Sequence, residues 1–124
     1  MQQFIVLSAI IGALGVGLGA FGAHGLSAIL EANGRADTFS TGTLYHLVHA
    51  VVILGIGILG YHLDSQLLRY AGYFILAGII LFSGSLYILS IFDIRIMGAV
   101  APLGGTAFII GWILIGVAAM QSGS

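Results

Sequence analysis

The sequence predicts an all-α membrane protein, a compact bundle of four transmembrane helices with a short amphipathic segment in the first loop. The main observation is that four long apolar stretches contain no Asp, Glu, Lys or Arg: residues 4–22, 44–61, 70–92 and 103–120. A helix needs about 20 mostly apolar residues to cross a hydrocarbon layer about 30 Å thick. The apolar runs are continuous rather than alternating, which argues against the strands of a membrane barrel.

The composition supports the same fold class. The chain has 124 residues, of which 60% are hydrophobic and only 6% are charged, whereas a soluble domain carries about 25% charged residues. Four membrane spans use nearly the whole length, so we expect a single integral membrane domain over residues 1–124. No soluble region is left to hold an ordinary catalytic site, and we therefore expect no enzymatic activity.

The charged residues restrict the partners. The formal net charge is −1, and the only cationic side chains besides histidine are Arg35, Arg69 and Arg95. Nucleic acid binding needs a basic patch, which this chain lacks. Cysteine is absent, which excludes disulfides and thiolate metal sites. The expected partners are membrane lipids, together with a second copy of the chain or another membrane protein.

We predict helices over residues 2–23, 37–60, 67–92 and 102–120. Residues 26–32 form the short amphipathic segment, and Asn33-Gly34 then predicts a turn. Asp37 is placed to cap the second helix through its carboxylate. Pro102 suits the first turn of the fourth helix, where its missing N–H costs nothing.

Small residues recur at helical spacing in the first helix. Ser8 and Gly12 are four apart, as are Gly15 and Gly19, and this spacing lets two helix backbones approach closely in lipid. The face is either a dimer interface or a packing face within the bundle, and the second interpretation is favoured because every bundle needs such faces. The glycines predicted to support helix packing are Gly12, Gly15, Gly19, Gly84, Gly104 and Gly105.

Three histidines are the ligand or cofactor candidates, together with Tyr45. His46 and His49 are three apart and share one helix face. His24 ends the first helix on the membrane side where the second begins, so a three-histidine cluster at one interface is geometrically feasible. Such a cluster is a candidate metal or haem site. Hydrogen bonding between helices is the alternative, and we favour it because no carboxylate shares that face. No cofactor is expected.

Polar residues within the third apolar stretch are Ser83, Ser85 and Tyr87. They favour hydrogen bonds between helices, with a polar transport path as the alternative. No charged residue lies deep in any predicted helix, although ion-coupled transporters usually rely on such groups. Trp112 lies in the middle of the fourth helix rather than at an interface.

Four segments taken together resemble a known family. They are residues 19–26 (GAFGAHGL), 45–50 (YHLVHA), 82–87 (FSGSLY) and 101–108 (APLGGTAF), the last followed by Gly111-Trp112. In this order they resemble the YgdD/YwdK-type small membrane proteins, which include relatives of eukaryotic transmembrane protein 256. The resemblance covers essentially the whole chain. It implies a multi-pass protein of the bacterial inner (cytoplasmic) membrane with no established biochemical activity.

The family's motif residues match nine positions: His24, Tyr45, His49, Ser85, Tyr87, Pro102, Gly104, Gly105 and Trp112. His46 departs from the family pattern, where glutamine is expected. This departure weakens a metal site built on His46 and His49, and it leaves His24 and His49 as the sharper metal candidates.

The leading functional hypothesis is a non-enzymatic four-helix bundle that acts as an accessory or interaction protein, or binds a lipid or other apolar ligand. One alternative is a histidine-based metal or haem site with a redox-linked role. A second alternative is a small oligomeric transporter or channel.

Overall fold

The computed structural model describes residues 1–122, and this part of the chain is built from helices without strands. The helices are α1 (Gln2–His24), α2 (Ser27–Ala32), α3 (Ala36–Leu59), α4 (Gln66–Phe92) and α5 (Met97–Ser122). All except α2 are long and apolar enough to cross a membrane. The predicted all-α bundle of four spanning helices is therefore confirmed. Gly123 and Ser124, which the predicted domain includes, lie outside the described residues.

The ends of α1, α3 and α4 lie within one residue of the predicted bounds. Helix α3 begins at Ala36, so Asp37 lies in its first turn, and the residue at the cap position is Arg35, whose side chain makes no capping hydrogen bond. Helix α4 does have a side-chain cap, because Ser65 Oγ accepts a hydrogen bond of 3.4 Å from the Leu68 N–H.

Helix α5 begins at Met97, five residues before its predicted start. Pro102 is therefore its sixth residue and lies inside the helix, contrary to our prediction. Proline has no N–H to offer the carbonyl four residues earlier, so one hydrogen bond is lost near the helix start. The first turn is held instead by shorter-range bonds, such as the Met97 N–H to the Ile94 carbonyl at 3.1 Å.

The four spanning helices form two closely packed pairs. Helix α1 lies along α3, α4 lies along α5, and contacts between α3 and α4 join the pairs. The apolar core lies in the half of the bundle nearest the amino terminus and the second loop, and Phe4, Ile53, Leu68 and Ile75 are fully buried there. Because lipid is as apolar as these side chains, this core stabilises the bundle through close packing rather than removal from water.

Glycines allow the backbones to approach within both pairs. A Cβ at Gly104 would lie 2.2 Å from the backbone nitrogen of Phe82, so α5 touches the main chain of α4. On α1, a Cβ at Gly15 would lie 2.7 Å from Leu47 and one at Gly19 would lie 3.1 Å from Thr43. The small-residue face of α1 is thus turned toward α3 of the same chain.

The remaining predicted packing glycines make looser contacts or none. A Cβ at Gly12 would lie 4.0 Å from Ala50, and one at Gly105 would lie 3.9 Å from Phe82. A Cβ at Gly84 would meet no atom of residues 1–122 within 4 Å beyond its own stretch of helix, so the expectation that it supports packing is not met.

A π-helical segment over Ile79–Ser83 explains the position of Gly84. Each residue of a π-helix turns the chain through a smaller angle than in an α-helix. The segment therefore changes the direction in which the side chains within and after it point. Ser83 is turned toward α3, where its Oγ donates a buried hydrogen bond of 2.8 Å to the Gly42 carbonyl. Gly84 is consequently turned away from α3.

The first and third loops are joined at one side of the membrane. Asn33 Nδ2 donates to the carbonyls of Ser90 and Ile91 at 2.9 and 3.1 Å, which closes the end of α4. Arg35 Nε lies 3.6 Å from Asp93 Oδ1. The Asn33-Gly34 turn that ends α2 has a positive φ of 65° at Gly34, which glycine adopts readily.

Candidate functional site

The candidate residues of α3 lie at the middle of the membrane span. Tyr45 and His49 are 9 and 13 residues beyond Ala36, or about 14 to 20 Å along a helix that rises 1.5 Å per residue. The sequence had suggested a histidine cluster at one membrane interface. That suggestion is wrong for His46 and His49, because both are buried and lie near the middle of the spanning helix α3.

His46 joins three helices. Its Nε2 lies 2.8 Å from the Ile11 carbonyl of α1, and its Nδ1 lies 2.7 Å from the Tyr87 hydroxyl of α4. A carbonyl oxygen only accepts, so Nε2 donates, and in the neutral ring Nδ1 accepts from Tyr87. We call His46, Tyr87 and the Ile11 carbonyl the His46 joint.

His49 adopts the opposite tautomer. Its Nδ1 donates to the Tyr45 carbonyl at 2.8 Å, and its Nε2 accepts from the Trp112 indole N–H of α5 at 3.1 Å. The Phe108 ring stacks on the imidazole with 3.8 Å between centroids. The side chain of His49 is thus held by α5, whereas that of His46 is held by α1 and α4.

These hydrogen bonds leave no imidazole nitrogen of His46 or His49 available as a metal ligand. In the neutral rings, both nitrogens of His46 and both of His49 are engaged, so no imidazole lone pair is free for ligation. His24 is exposed at the end of α1, far from the midplane. Across residues 1–122, no group of three or more His, Cys, Asp or Glu side chains is placed to hold a metal. The three histidines therefore do not converge.

An aromatic cleft opens beside His49, between α3 and α5. Its volume is about 440 Å³. Most of its lining residues are aromatic or small: Tyr45, His49, Phe82, Pro102, Gly105, Thr106, Phe108, Ile109 and Trp112. Tyr45 is 40% exposed and Trp112 is 50% exposed, so the cleft opens sideways toward the lipid.

The rings of the aromatic cleft form a connected wall. The Tyr45 ring lies 4.7 Å from that of Phe82 and 6.1 Å from that of Phe108, and Phe82 meets Phe108 edge to face at 5.7 Å. Phe82 belongs to the π-helical segment. Segments of this kind occur frequently at functional sites.

The polar groups of the cleft are few. Thr106 Oγ1 donates to the Pro102 carbonyl at 2.9 Å, within α5. The Tyr45 hydroxyl, by contrast, makes no hydrogen bond to any residue that the structure describes. An unpaired hydroxyl at hydrocarbon depth is costly. The cleft can therefore receive a flat apolar ring that carries a hydrogen-bond acceptor.

The predicted intramembrane polar residues have different roles. Ser83 and Tyr87 bridge helices through their bonds to Gly42 and His46. Ser85 bonds within its own helix, to the Leu81 carbonyl. Two of the three residues therefore hold the bundle together, as the interhelical interpretation expects.

Sequence reasoning missed several residues of the site. Phe108 and Trp112 are four apart on one helix face, matching Tyr45 and His49 on α3, and this paired spacing could have been noticed. Phe82 could not have been found, because its position depends on the π-helical segment.

Comparison with known proteins identifies the family. The model of a family described as "Protein of unknown function (DUF423)" matches residues 18–105, which include Tyr45, His49 and Gly104. The chain belongs to the DUF423 family. This match and the relatives described next confirm the resemblance to YwdK-type membrane proteins.

The relatives cover nearly the whole chain. UPF0382 membrane protein YwdK of Bacillus subtilis (strain 168) is 48% identical over 122 residues, which is 98% of each chain. UPF0382 membrane protein SAB0533 of Staphylococcus aureus (strain bovine RF122 / ET3-1) is 40% identical over 121 residues, again 98% of each. A relative from Staphylococcus saprophyticus is 42% identical over 115 residues, 93% of this chain and 94% of the other. No solved structure matches. With its four candidate spans, this DUF423 chain is a membrane protein of unknown function.

Proposed function

We propose that this DUF423 protein is a non-enzymatic bundle of the bacterial cytoplasmic membrane that binds an apolar, ring-bearing molecule of the bilayer in the aromatic cleft. The observation that supports it is the cleft itself: about 440 Å³ at the midplane, walled by aromatic rings and open to lipid. The relatives are bacterial proteins that bear the name membrane protein.

The geometry favours a flat head group with an acceptor oxygen and an alkyl tail. The exposed rings of Tyr45 and Trp112 offer faces and edges for stacking, which is worth about 0.5–1.5 kcal/mol per aromatic pair beyond area burial. The Tyr45 hydroxyl supplies one donor. A tail would leave through the lateral opening into the surrounding lipid, which costs no desolvation.

The alternatives have less support. A metal or haem site on His46 or His49 would first have to break their bonds to Tyr87 or Trp112. A transport path would need polar groups lining a passage, whereas Ser83, Ser85 and Tyr87 are engaged in hydrogen bonds. Assembly with a second copy or another membrane protein stays a prediction.

Trp112 makes the proposal directly testable, because it is the only tryptophan in the chain and it lines the cleft. The protein would be placed in lipid nanodiscs and titrated with a short-tailed alkyl benzoquinone, which quenches indole fluorescence at contact. We expect quenching that saturates with the probe-to-protein ratio. Quenching that rises linearly without saturation would show only collisions in the lipid and would contradict the proposal.

Two matched glycine substitutions localise the binding. Gly105→Leu fills the cleft, whereas Gly116→Leu places the same side chain on α5 where no neighbouring atom lies within 4 Å. Saturable quenching should disappear in the first variant and persist in the second. Tyr45→Phe should weaken binding about tenfold if the hydroxyl donates to the ligand, since one hydrogen bond is worth roughly 1–1.5 kcal/mol. Equal behaviour of all variants would place the probe elsewhere.

A further inference from the structure

A second cavity lies between α1, α2 and α3 and shares no residue with the aromatic cleft. Its volume is about 450 Å³, and it forms an open groove along the outer side of the α1–α3 pair. We call it the α1–α3 groove. It begins at the short helix α2, where Ser27 and Glu31 line its mouth, and it reaches Leu47 of α3, where a separate cavity between α1 and α3 begins.

The groove has the length of one membrane leaflet. Leu47 is 11 residues beyond Ala36, which also lines the groove, and this separation corresponds to about 16 Å along the helix. Half of a hydrocarbon layer about 30 Å thick is about 15 Å. A single acyl chain that enters beside α2 would therefore lie against the protein from the interface to the midplane.

The groove is polar at the interface and apolar at depth, as a phospholipid is. Glu31, Ser27 and Ser40 line its outer part, while Leu44 and Leu47 line its inner part. Gly19 and Gly22 line the groove on the α1 side. At Gly22 the ring of Phe39 takes the space a side chain would need, 2.2 Å from a Cβ position.

The mouth of the groove carries one unpaired charge, that of Glu31. Glu31 forms no ion pair with any residue of the described chain, and Arg35, the cation nearest in sequence, faces Asp93 at 3.6 Å instead. The Ser40 hydroxyl likewise makes no hydrogen bond within residues 1–122. The outer part of the groove thus presents an unpaired carboxylate and a free hydroxyl, which complement the ammonium and the phosphate of a lipid head group.

We propose that the α1–α3 groove binds a phospholipid with a primary-amine head group. Its ammonium pairs with Glu31, its phosphate accepts from Ser40, and one acyl chain follows the groove to Leu47. This inference does not depend on the aromatic cleft, since the two cavities lie on different sides of α3.

Native mass spectrometry of the detergent-solubilised protein tests the proposal. The protein would be mixed with phosphatidylethanolamine, phosphatidylcholine and phosphatidylglycerol of identical acyl chains. We expect phosphatidylethanolamine to be retained preferentially, and Glu31→Gln to lower that preference about tenfold, as the loss of one charge-assisted hydrogen bond implies. The matched control is Asp37→Asn, which neutralises another exposed carboxylate on the same membrane side but outside the groove lining.

A charge reversal separates recognition from misfolding. Glu31→Lys should shift the preference to anionic phosphatidylglycerol, an outcome that an unfolded variant cannot produce. Equal retention of the three lipids by the native protein, or a phosphatidylethanolamine preference that survives Glu31→Gln, would overturn the proposal.

Discussion

The His46 joint and the aromatic cleft use the same residue type on the same helix for different purposes. His46 and His49 are three residues apart on α3, which rotates one from the other by about 60° around the helix axis. That rotation points His46 into the space between α1, α3 and α4, where both ring nitrogens bond to other helices. It points His49 toward α5 and the edge of a cavity.

The difference shows how burial alone misleads in a membrane protein. Both histidines are about equally buried, at 5% and 4% exposure. Both ring nitrogens of His46 are bonded to other helices, whereas His49 lines the aromatic cleft together with the exposed rings of Tyr45 and Trp112. Substitutions in the His46 joint should therefore affect mainly stability, and substitutions in the aromatic cleft should affect mainly binding.

Gly104→Ala should have the largest effect. The added Cβ would lie 2.2 Å from the Phe82 backbone nitrogen, and a backbone atom cannot move aside without separating α4 from α5. We expect a loss of about 3 kcal/mol, at the upper end of overpacking costs, and loss of the cleft wall with it. Thermal unfolding in detergent measures the change. Gly105→Ala is the adjacent control, since its Cβ would meet Phe82 at an ordinary 3.9 Å, and equal losses in both would contradict the close approach.

His46→Leu should have an intermediate effect that reports on the joint. It removes the donor to Ile11 and leaves the half-buried Tyr87 hydroxyl without its His46 acceptor. Hydrogen bonds between membrane helices average about 0.6 kcal/mol and reach about 1.7, so we expect a loss of about 1–2 kcal/mol.

His46→Gln is the informative companion, because an amide offers both a donor and an acceptor. It should keep most of the stability, as the glutamine expected at this family position suggests. The titration with the alkyl benzoquinone should be unchanged in His46→Gln. If His46→Gln destabilised the bundle as much as His46→Leu, the two hydrogen bonds of the His46 joint would not be the source of its contribution to stability.

Trp112→Phe should have the smallest effect on stability. It removes the hydrogen bond of 3.1 Å that the Trp112 indole N–H donates to His49, and the Trp112 side chain is half exposed. We therefore expect the free energy of unfolding to change by about 0.6 kcal/mol or less. Its effect should appear in the cleft, where His49 regains a free acceptor. Isothermal titration with the benzoquinone should therefore show altered affinity at nearly constant unfolding temperature. A large loss of stability would instead show that the Trp112–His49 hydrogen bond holds the helices together, as the His46 joint does, and would contradict its assignment to binding.

Much of the fold could be predicted because lipid imposes simple rules. Uninterrupted apolar runs of sufficient length must be helical, since hydrocarbon satisfies no backbone hydrogen bonds. The start of α5 was misplaced because proline was treated as a boundary, while the turn at Ile94–Met97 starts the helix earlier. Gly84 was misassigned because the π-helical segment over Ile79–Ser83 changes which residues of α4 face α3.

The sequence by itself determined that the protein lies in a membrane, and it determined the four spans, the short amphipathic helix and the residue types available for binding. These features follow from composition and spacing along one chain. The tertiary structure decided how each helix is rotated about its axis. That rotation gives His46 and His49 opposite tautomers and makes Tyr45 part of the wall of a cavity. Rotation depends on packing between helices distant in sequence, and in lipid close contact and hydrogen bonding set it rather than hydrophobic patterning.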